Sequence, residues 1–561
     1  MYHLARPLTL AAALVTFGTV NLPGPAHSVD LPLAEQALPL NPVAASIEAL
    51  LTERGLLQSD VGRYYAAHNF MPVWYKSSIA PVAVLTAMAQ ADDHGLPEAE
   101  YNLSELSALV GNASTPVGKA AAEIGLSLTF VEFARDLNSG VVDPDTLSSD
   151  VQHNPVVMPV ADILALALGS EDVDAVIATL MPQGEDYLYL LEERRRLHAV
   201  IAEGDFGSTI PTNRMMRPGF TGDRVALVRQ RLRSLGYKGT APIVAVDADE
   251  AAIAKAVRVY DADLVTLVKT FQSDHQLHQD GILGPATIGR LNASAPDRME
   301  QILVNMERHR WLNMERTPRY IRVNIPDFNM AVIDNGVVTF TSRVVVGKSR
   351  YDHKTPEFSD EMTHLIVNPY WHVPKSIARK EYLPMLKQDP QALAKRGLQL
   401  LNSHGQVLNT AGADFSGYSQ SYFPFYIKQP PGGGNALGRV KFMFPNGNNI
   451  YLHDTPSKSL FKRQQRAYSH GCVRVQKPFE LAYHLLAAQY DDAEGVFHSL
   501  LKTGREKQVN LDTPIQVHLV YHTAFAGPDG AIIYRDDIYG RDKPVFEALL
   551  QAGVEIEGVS G

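Results

Sequence analysis

Ser469-His470-Gly471-Cys472-Val473-Arg474-Val475 contains the single cysteine of this 561-residue chain. A lone cysteine forms neither an intramolecular disulfide nor a thiolate-rich metal cluster, so Cys472 is either a small buried residue or a reactive thiol. His470 and Arg474 favour the reactive thiol, because a base can take its proton and a fixed positive charge stabilises the thiolate. The stretch therefore predicts a cysteine nucleophile.

A cysteine that attacks an acyl carbon also needs a base, an orienting group and an oxyanion site. His453 is the predicted base, because it closes a strand-like segment and is separated from Ser469 by 15 residues, which is enough chain for a loop to return. Its tautomer is fixed either by the backbone carbonyl of Asp454 or by the Asp454 carboxylate, and the sequence leaves both open. The amides of Gly471 and Cys472, at a tight glycine turn, are expected to face the oxyanion.

The region around these residues is predicted to be β-rich. From Tyr320 the hydrophobic period is two, and Asn335-Gly336 between two strand-like runs predicts a hairpin. Residues 377–401 are helix-like and residues 402–421 are polar, so 377–421 is predicted to be a lid-like insertion. We assign residues 315–500 to this β-rich domain.

The rest of the chain predicts a multidomain α+β protein. Helical spacing of apolar residues indicates a helical scaffold domain over 29–213 and a small three-helix module over 217–293. Residues 501–561 are predicted to be a C-terminal extension that packs on the rest and carries no site. The composition, 45% hydrophobic and 20% charged, is that of a globular protein.

Residues 1–28 are typical of a signal peptide. Arg6 precedes an apolar run over 8–20, and Ala26-His27-Ser28 is a small-x-small cleavage site. The run is shorter than the roughly 20 residues of a membrane span. We therefore expect an exported chain, with an uncleaved membrane anchor as the alternative.

Charge and ligand spacing exclude other classes of protein. The net charge of -10 argues against a nucleic-acid partner, which usually meets a basic face. A zinc site made of His453, Asp454, His470 and Cys472 is chemically possible. A zinc peptidase would need a separate set of ligands and a general base, which the sequence does not offer. We predict no cofactor and no metal.

Residues 217–293 resemble the peptidoglycan-binding module of the three-helix type. The matching motifs are Val228-Arg229-Gln230-Arg231-Leu232, Leu235-Gly236-Tyr237, Phe271-Gln272 and Asp280-Gly281-Ile282-Leu283-Gly284-Pro285-Ala286-Thr287. The middle of the module, 238–262, departs from the pattern. The resemblance implies binding of glycan, and a spacer that no longer binds it is the alternative.

The order His453…Ser469-His470-Gly471-Cys472-Val473-Arg474 resembles the active-site motif of the L,D-transpeptidases. Three further matches support the resemblance: Lys354-Thr355-Pro356-Glu357-Phe358, Asn368-Pro369-Tyr370-Trp371-His372-Val373-Pro374 and Pro430-Pro431-Gly432-Gly433-Gly434-Asn435-Ala436-Leu437-Gly438. With its helical region, module and insertion, the chain is similar to the large periplasmic subclass of Gram-negative bacteria.

The resemblance implies a substrate and a reaction. Cys472 would attack the diaminopimelate carbonyl of a peptidoglycan tetrapeptide stem, expel D-alanine and pass the acyl group from a thioester to a second diaminopimelate amine. It also implies that β-lactams of the carbapenem class attach to Cys472. The residues expected to bind substrate are Arg474, His470, Ser469, Tyr451 and Trp371. A hydrolase with the same nucleophile and a non-catalytic wall-binding scaffold remain alternatives, and the oligomeric state stays open.

Overall fold

The computed structural model describes residues 41–242, 244–245, 247–313 and 317–556. The signal peptide predicted at residues 1–28 lies outside the described residues. No helix in those ranges has both the length and the apolar character required to cross a bilayer.

The N-terminal part is helical, as the sequence predicts. Asn41, Ser59 and Thr115 each accept a hydrogen bond from an amide in the first turn of the helix that follows, which satisfies a donor that the helix leaves free. The helices are α1 Pro42–Glu53, α2 Asp60–Ala67, α3 Pro81–Met88, α4 Leu103–Gly111, α5 Pro116–Ser139, α6 Val160–Gly169, α7 Val173–Leu180 and α8 Glu185–Ala202. The long α5 is central, because it packs against α1, α4, α6 and α7.

The predicted module forms a separate small core. Its helices are α9 Asp223–Ser234, α10 Glu250–Ala256, α11 Ala262–Asp274 and α12 Pro285–Leu291. The apolar stripes of α9 and α11 meet in this core, where Val228, Val268 and Phe271 are fully buried. The segment that departs from the family pattern contains α10, none of whose residues is buried.

The β-rich part is a sheet closed on itself. The strands of the chain are β1 Arg319–Asn324, β2 Asn329–Asp334, β3 Val337–Gly347, β4 Phe358–Val367, β5 Trp371–His372, β6 Gln399–Leu401, β7 Tyr426–Gln429, β8 Val440–Met443, β9 Leu452–His453, β10 Ala467–Ser469, β11 Val473–Val475, β12 Lys507–Val520, β13 Ala524–Ala526 and β14 Ile532–Tyr534. Nine described strands pair in the order β10-β3-β11-β9-β8-β4-β12-β1-β2, and β2 also pairs with β3. At the predicted hairpin between β2 and β3, Asn335 and Gly336 both have positive φ, as a tight hairpin turn of this kind requires.

Six further helices complete the fold: α13 Ala295–Trp311, α14 Lys375–Ile377, α15 Leu383–Gln388, α16 Pro478–Leu486, α17 Ala493–Lys502 and α18 Asp542–Gln551. α13, α18 and β13 share a core with α8 of the N-terminal region. The end of the chain therefore packs on the helical region, and the predicted fold class, multidomain α+β, is confirmed.

The structure corrects the domain boundary predicted at residue 500. β12 lies between β4 and β1 in the closed sheet and pairs with both of them. Its residues Ile515, Val517 and Leu519 are buried in the core of the sheet. The β-rich domain therefore extends through Val520, and only the chain beyond it is an extension.

The structure also corrects the insertion. The predicted helix over 377–401 ends at Gln388, after a π-helical turn at Ala378–Tyr382 and α15, and Gln399–Leu401 is a strand. β5, β7 and β6 form a small sheet of their own. Leu383, Leu386 and Phe423 bury their side chains in a core distinct from that of the closed sheet. Residues 371–429 thus form a folded unit, here called the insertion subdomain.

A buried carboxylate connects the helical region, the closed sheet and the C-terminal extension. Glu357, at the foot of β4, is 1% exposed and lies 3.0 Å from Arg541 of the extension and 3.4 Å from His153 of the helical region. Burial alone would raise the pKa of Glu357, but Arg541 and the hydrogen bond from His153 hold this pKa below its ordinary value. The carboxylate is therefore charged and is held by two separate parts of the chain.

Glu357→Gln should destabilise the chain by about 3 kcal/mol, because it removes the nearer counter-charge of the buried Arg541 guanidinium and leaves only the Asp150 carboxylate, 3.6 Å away. Urea denaturation measures the loss, and adding Arg541→Met should recover part of it. Glu547→Gln, which breaks the exposed pair with Lys543, is the control and should cost at most about 1 kcal/mol.

The pH dependence of the chain's stability follows from the lowered pKa of Glu357. The stability that this carboxylate contributes is present above its unfolded pKa and is lost as the pH falls through its folded value. Equal stability losses for Glu357→Gln and Glu547→Gln would contradict this account.

Candidate active site

The candidate site is built on two neighbouring parallel strands. β9 and β11 pair so that Leu452 faces Val473 and His453 faces Arg474. Leu452 and Val473 are fully buried in the core of the sheet. Because side chains alternate along a strand, His453 and Arg474 lie on the opposite face, together with Tyr451 and Cys472 at the strand starts. The structure thus brings four of the predicted site residues together.

A glycine turn sets the position of Cys472. Gly471 has φ of 114°, and a Cβ there would lie 3.0 Å from the Ile450 side chain. Its carbonyl accepts a hydrogen bond from the Thr355 hydroxyl at 2.7 Å. Thr355 is fully buried. The family-like segment that contains Thr355 therefore acts by fixing the turn in front of the thiol.

His453 is held as a base by its own backbone. It is 3% exposed, and its Nδ1 donates to the carbonyl of Asp454. A carbonyl accepts hydrogen bonds only, so the proton sits on Nδ1 and the lone pair is on Nε2. Of the two orienting groups left open by the sequence, the structure places the backbone carbonyl on the imidazole.

The Asp454 carboxylate has a different role from the one predicted for a catalytic residue. It accepts hydrogen bonds from the amides of Arg439 and Thr455 at 2.8 and 2.6 Å and from Lys458 at 2.6 Å. Gly438, with φ of 64°, passes so close that a Cβ would lie 2.3 Å from this carboxylate. Asp454 therefore fixes the neighbouring loop, and only its main chain contacts His453.

The thiol is protonated at rest, contrary to the expected thiolate. Cys472 is half-buried, and its Sγ lies 3.6 Å from the Asn449 carbonyl oxygen, to which the thiol donates. Burial raises the pKa of Cys472 to about 11, although the backbone and hydroxyl of Tyr451 and the charge of Arg474 act to lower it. Desolvation outweighs the cationic neighbours that the sequence analysis emphasised.

The imidazole is neutral at rest as well. Burial, followed by the charge of Arg474, lowers the pKa of His453 to about 3. With both the thiol and the imidazole neutral, a transfer of the thiol proton to His453 takes place during attack and not before it.

One of the two predicted oxyanion donors is occupied. The Gly471 amide donates to the hydroxyl of Ser469 at 3.1 Å. Ser469 is 2% exposed and acts within the turn. Within the part of the chain that the structure describes, no backbone carbonyl accepts from the Cys472 amide. The Cys472 amide is therefore the better of the two candidates for the oxyanion.

Lys441 is a site residue that the sequence analysis missed. It lies on β8 directly opposite His453, half-buried, with Nζ 5.8 Å from the centroid of the Tyr451 ring. Its charge also acts to lower the pKa of Cys472, but less than that of Arg474 does. The alternation of Val440 and Phe442 with Lys441 predicts a lysine on the outer face, but not that this face carries the thiol.

Of the residues predicted to bind substrate, His470 contacts the insertion subdomain and Trp371 is part of it. His470 Nε2 lies 2.5 Å from Glu381 Oε1. The indole of Trp371 lies 6.3 Å from the Tyr382 ring, edge to face. Their predicted contact with substrate stays a prediction.

The zinc set considered from the sequence is not assembled. His453 Nδ1 and the Asp454 carboxylate are taken up by the protein bonds described above. Among the described residues, the group of three or more histidine, cysteine and carboxylate side chains close enough to share an ion is His353, Glu381 and His470. Of the predicted zinc ligands, only His470 is a member of this group.

A cysteine and a neutral histidine on one face of a closed sheet define a site suited to acyl transfer. Residues 318–516 match the family model described as "L,D-transpeptidase catalytic domain". Residues 221–291 match the "Putative peptidoglycan binding domain" and residues 59–193 the "Scaffold domain". The chain therefore carries an L,D-transpeptidase catalytic domain together with a peptidoglycan-binding domain.

A protein of Haemophilus influenzae named "Putative L,D-transpeptidase" is 33% identical over 225 residues, which are 40% of this chain and 45% of that protein. The match thus spans less than half of the relative's length. A crystal structure of an L,D-transpeptidase from Xylanimonas cellulosilytica is 14% identical in sequence, and the match covers 55% of this chain and 99% of that chain with a TM-score of 0.17. A crystal structure of an L,D-transpeptidase from Stackebrandtia nassauensis is 13% identical, and the match covers 56% of this chain and 97% of that chain with a TM-score of 0.20. These scores are too low to bear on the fold.

Alkylation of Cys472 by iodoacetamide, followed by intact mass, tests the resting state of the thiol. In metal-free buffer the rate should rise about tenfold per pH unit between pH 7 and 9, because the thiolate fraction grows tenfold per unit below the pKa. Arg474→Gln should lower the rate about tenfold at each pH by raising the thiol pKa about one unit. Arg463→Gln is the control, because Arg463 is an exposed arginine in the segment between β9 and β10. A rate that is already level below pH 7 would show a preformed thiolate instead.

Proposed function

We propose that this chain is a cysteine L,D-transpeptidase that forms 3-3 crosslinks in peptidoglycan. The observation that carries the proposal is the shared face of β9 and β11, which brings together Cys472, the neutral imidazole of His453 and the cations Arg474 and Lys441. The family match over residues 318–516 supports the same reading.

The first step acylates the enzyme. Sγ of Cys472 bonds to the carbonyl carbon of diaminopimelate in a tetrapeptide stem, and its proton passes to Nε2 of His453. The negative charge that develops on the carbonyl oxygen is met by the Cys472 amide. Collapse of the intermediate breaks the carbon–nitrogen bond, and the imidazolium returns the proton to the departing D-alanine amine. A thioester remains.

The second step transfers the acyl group. The side-chain amine of a second diaminopimelate gives a proton to Nε2 of His453 and attacks the thioester carbon. The carbon–sulfur bond breaks, and the thiol regains a proton from the imidazolium. If water attacks instead of the amine, the same steps give a tripeptide, so an L,D-carboxypeptidase is the alternative function. A purely scaffolding role is disfavoured by the presence of Cys472, His453 and two cations on one face of the sheet.

The charge around the thiol supports an anionic substrate. Lys441 and Arg474 place two cations on the site face in a chain of net charge -10. Burial lowers the pKa of each of these cations, so each is stabilised when a carboxylate comes close. A stem peptide carries several carboxylates, which makes it a fitting substrate class.

Three expectations belong to the same proposal. The module at 221–291 would hold the enzyme on glycan, the chain would act in the periplasm after export, and carbapenems would acylate Cys472. The family matches to peptidoglycan domains support the first of these.

Incubation with tetrapeptide muropeptides, followed by mass spectrometry, tests the proposed reaction. The wild-type chain should give dimers joined through two diaminopimelates, and Cys472→Ala should give none. His453→Gln should slow acylation by about a hundredfold or more, the usual scale of a positioned general base. Tripeptides without dimers would mean hydrolysis, and unchanged stems would mean a scaffold.

Lys441→Met should lower kcat/KM for the tetrapeptide by about tenfold, because a charge-assisted hydrogen bond to a substrate carboxylate is lost. Alkylation of Cys472 by neutral iodoacetamide should change much less. Lys375→Met is the matched control, since Lys375 is also a lysine over a tyrosine ring, 5.0 Å from the Tyr426 centroid, but on the insertion subdomain. Equal losses in kcat/KM and in the alkylation rate would show that Lys441 acts on the thiol rather than on a substrate carboxylate.

A further inference from the structure

A cluster of two imidazoles and one carboxylate lies beside the candidate active site and has no part in the mechanism above. His353 comes from the loop between β3 and β4, Glu381 from the π-helical turn of the insertion subdomain, and His470 from the loop that leads to Cys472. The three ligand atoms all lie within 4.8 Å of one another. Three segments distant in sequence therefore converge on one point.

The geometry is close to that of a metal site. The His353 and His470 rings stand edge to face, with centroids 4.3 Å apart and planes at 87°. Zinc binds imidazole nitrogen and carboxylate oxygen at about 2.0–2.2 Å in a tetrahedron, which puts ligand atoms about 3.4 Å apart. The His470–Glu381 pair at 2.5 Å must open slightly and the other distances must close by at most about 1.5 Å. Rotation of the side chains suffices, because Glu381 is 40% and His470 25% exposed.

The donor set selects the class of cation. Two nitrogens and one oxygen suit zinc and its transition-metal neighbours, whereas magnesium and calcium prefer oxygen throughout. Asp352 Oδ1 lies 3.4 Å from His353 Nδ1, a buried ring nitrogen that has no hydrogen-bond partner among the described residues. The other oxygen of Asp352 accepts from Lys380 at 2.8 Å, so a second contact already ties the insertion subdomain to this loop.

We propose that His353, Glu381 and His470 bind one divalent cation of the zinc class, and that the cation fastens the insertion subdomain to the loop that carries Cys472. Three protein ligands leave a fourth position for water, which makes the ion exchangeable. The bound ion holds residues 375–388 against the loop two residues before the thiol. The site is separate from the acyl-transfer chemistry and is tested without it.

Zinc binding to the purified, metal-free chain is measured by equilibrium dialysis against zinc sulfate and elemental mass spectrometry. The wild type and Cys472→Ala should each bind one zinc per chain with equal affinity. His353→Gln and Glu381→Gln should bind it about tenfold or more weakly, while His404→Gln, an exposed histidine of the same insertion subdomain, should bind as the wild type does. Thermal melting confirms that the variants fold.

Each other result overturns the proposal. Loss of binding in Cys472→Ala would place the ion on the thiol, loss in His404→Gln would mean unspecific binding to surface histidines, and no binding by the wild type would exclude the site.

Hydrogen–deuterium exchange of the wild type tests whether the ion fastens the insertion subdomain to the loop that carries Cys472. Zinc should slow exchange in 351–355 and 375–388 and leave β12 unchanged. Zinc that binds through His353 without slowing 375–388 would overturn the fastening role.

Discussion

The buried pair of Glu357 and Arg541 is the constraint on which the arrangement of this chain depends. Arg541 donates to the Thr355 carbonyl at 2.9 Å as well as to the Glu357 carboxylate, and the Thr355 hydroxyl in turn holds the Gly471 carbonyl. The main chain of Glu357 bonds to Asp150 and Gln152 of the helical region. A carboxylate buried as deeply as that of Glu357 must be paired. Separation of the helical region, the closed sheet and the extension would therefore expose this charge to water or leave it without its partner.

This constraint explains why the nucleophile can be both buried and oriented. The turn at Gly471 is strained for any residue but glycine, and it is held from beneath by Thr355 rather than by contacts to solvent. Tyr539 of the extension supports the sheet close to this turn, because its hydroxyl donates to the carbonyl of Gly347, the last residue of β3, at 2.6 Å. Rigid support allows the thiol to lie in a partly desolvated place, where the electrostatic effect of Arg474 and Lys441 is stronger than it would be in water.

The sequence predicts what depends on local pattern and misses what depends on distant contacts. The stripes of α9 and α11, the Asn335-Gly336 hairpin and the strand placement of His453 follow from spacing and turn chemistry. The sequence places β12 in an extension, because the position of β12 between β1 and β4 is set by pairing with residues at least 140 positions away. The charge state of Cys472 was misjudged for the same reason: neighbouring cations are visible in the sequence, whereas burial is not.

The insertion subdomain is joined to the site by weaker contacts than those that hold the catalytic strands. Its core, around Leu383 and Phe423, is separate from the core of the closed sheet. It leaves and rejoins that domain through the paired strands β5 and β7, where Trp371 lies opposite Gln429. Its contacts near the thiol are polar and partly exposed, such as Glu381 with His470. Polar contacts of this kind contribute little to stability, whereas the buried Glu357–Arg541 pair holds the catalytic strands in place.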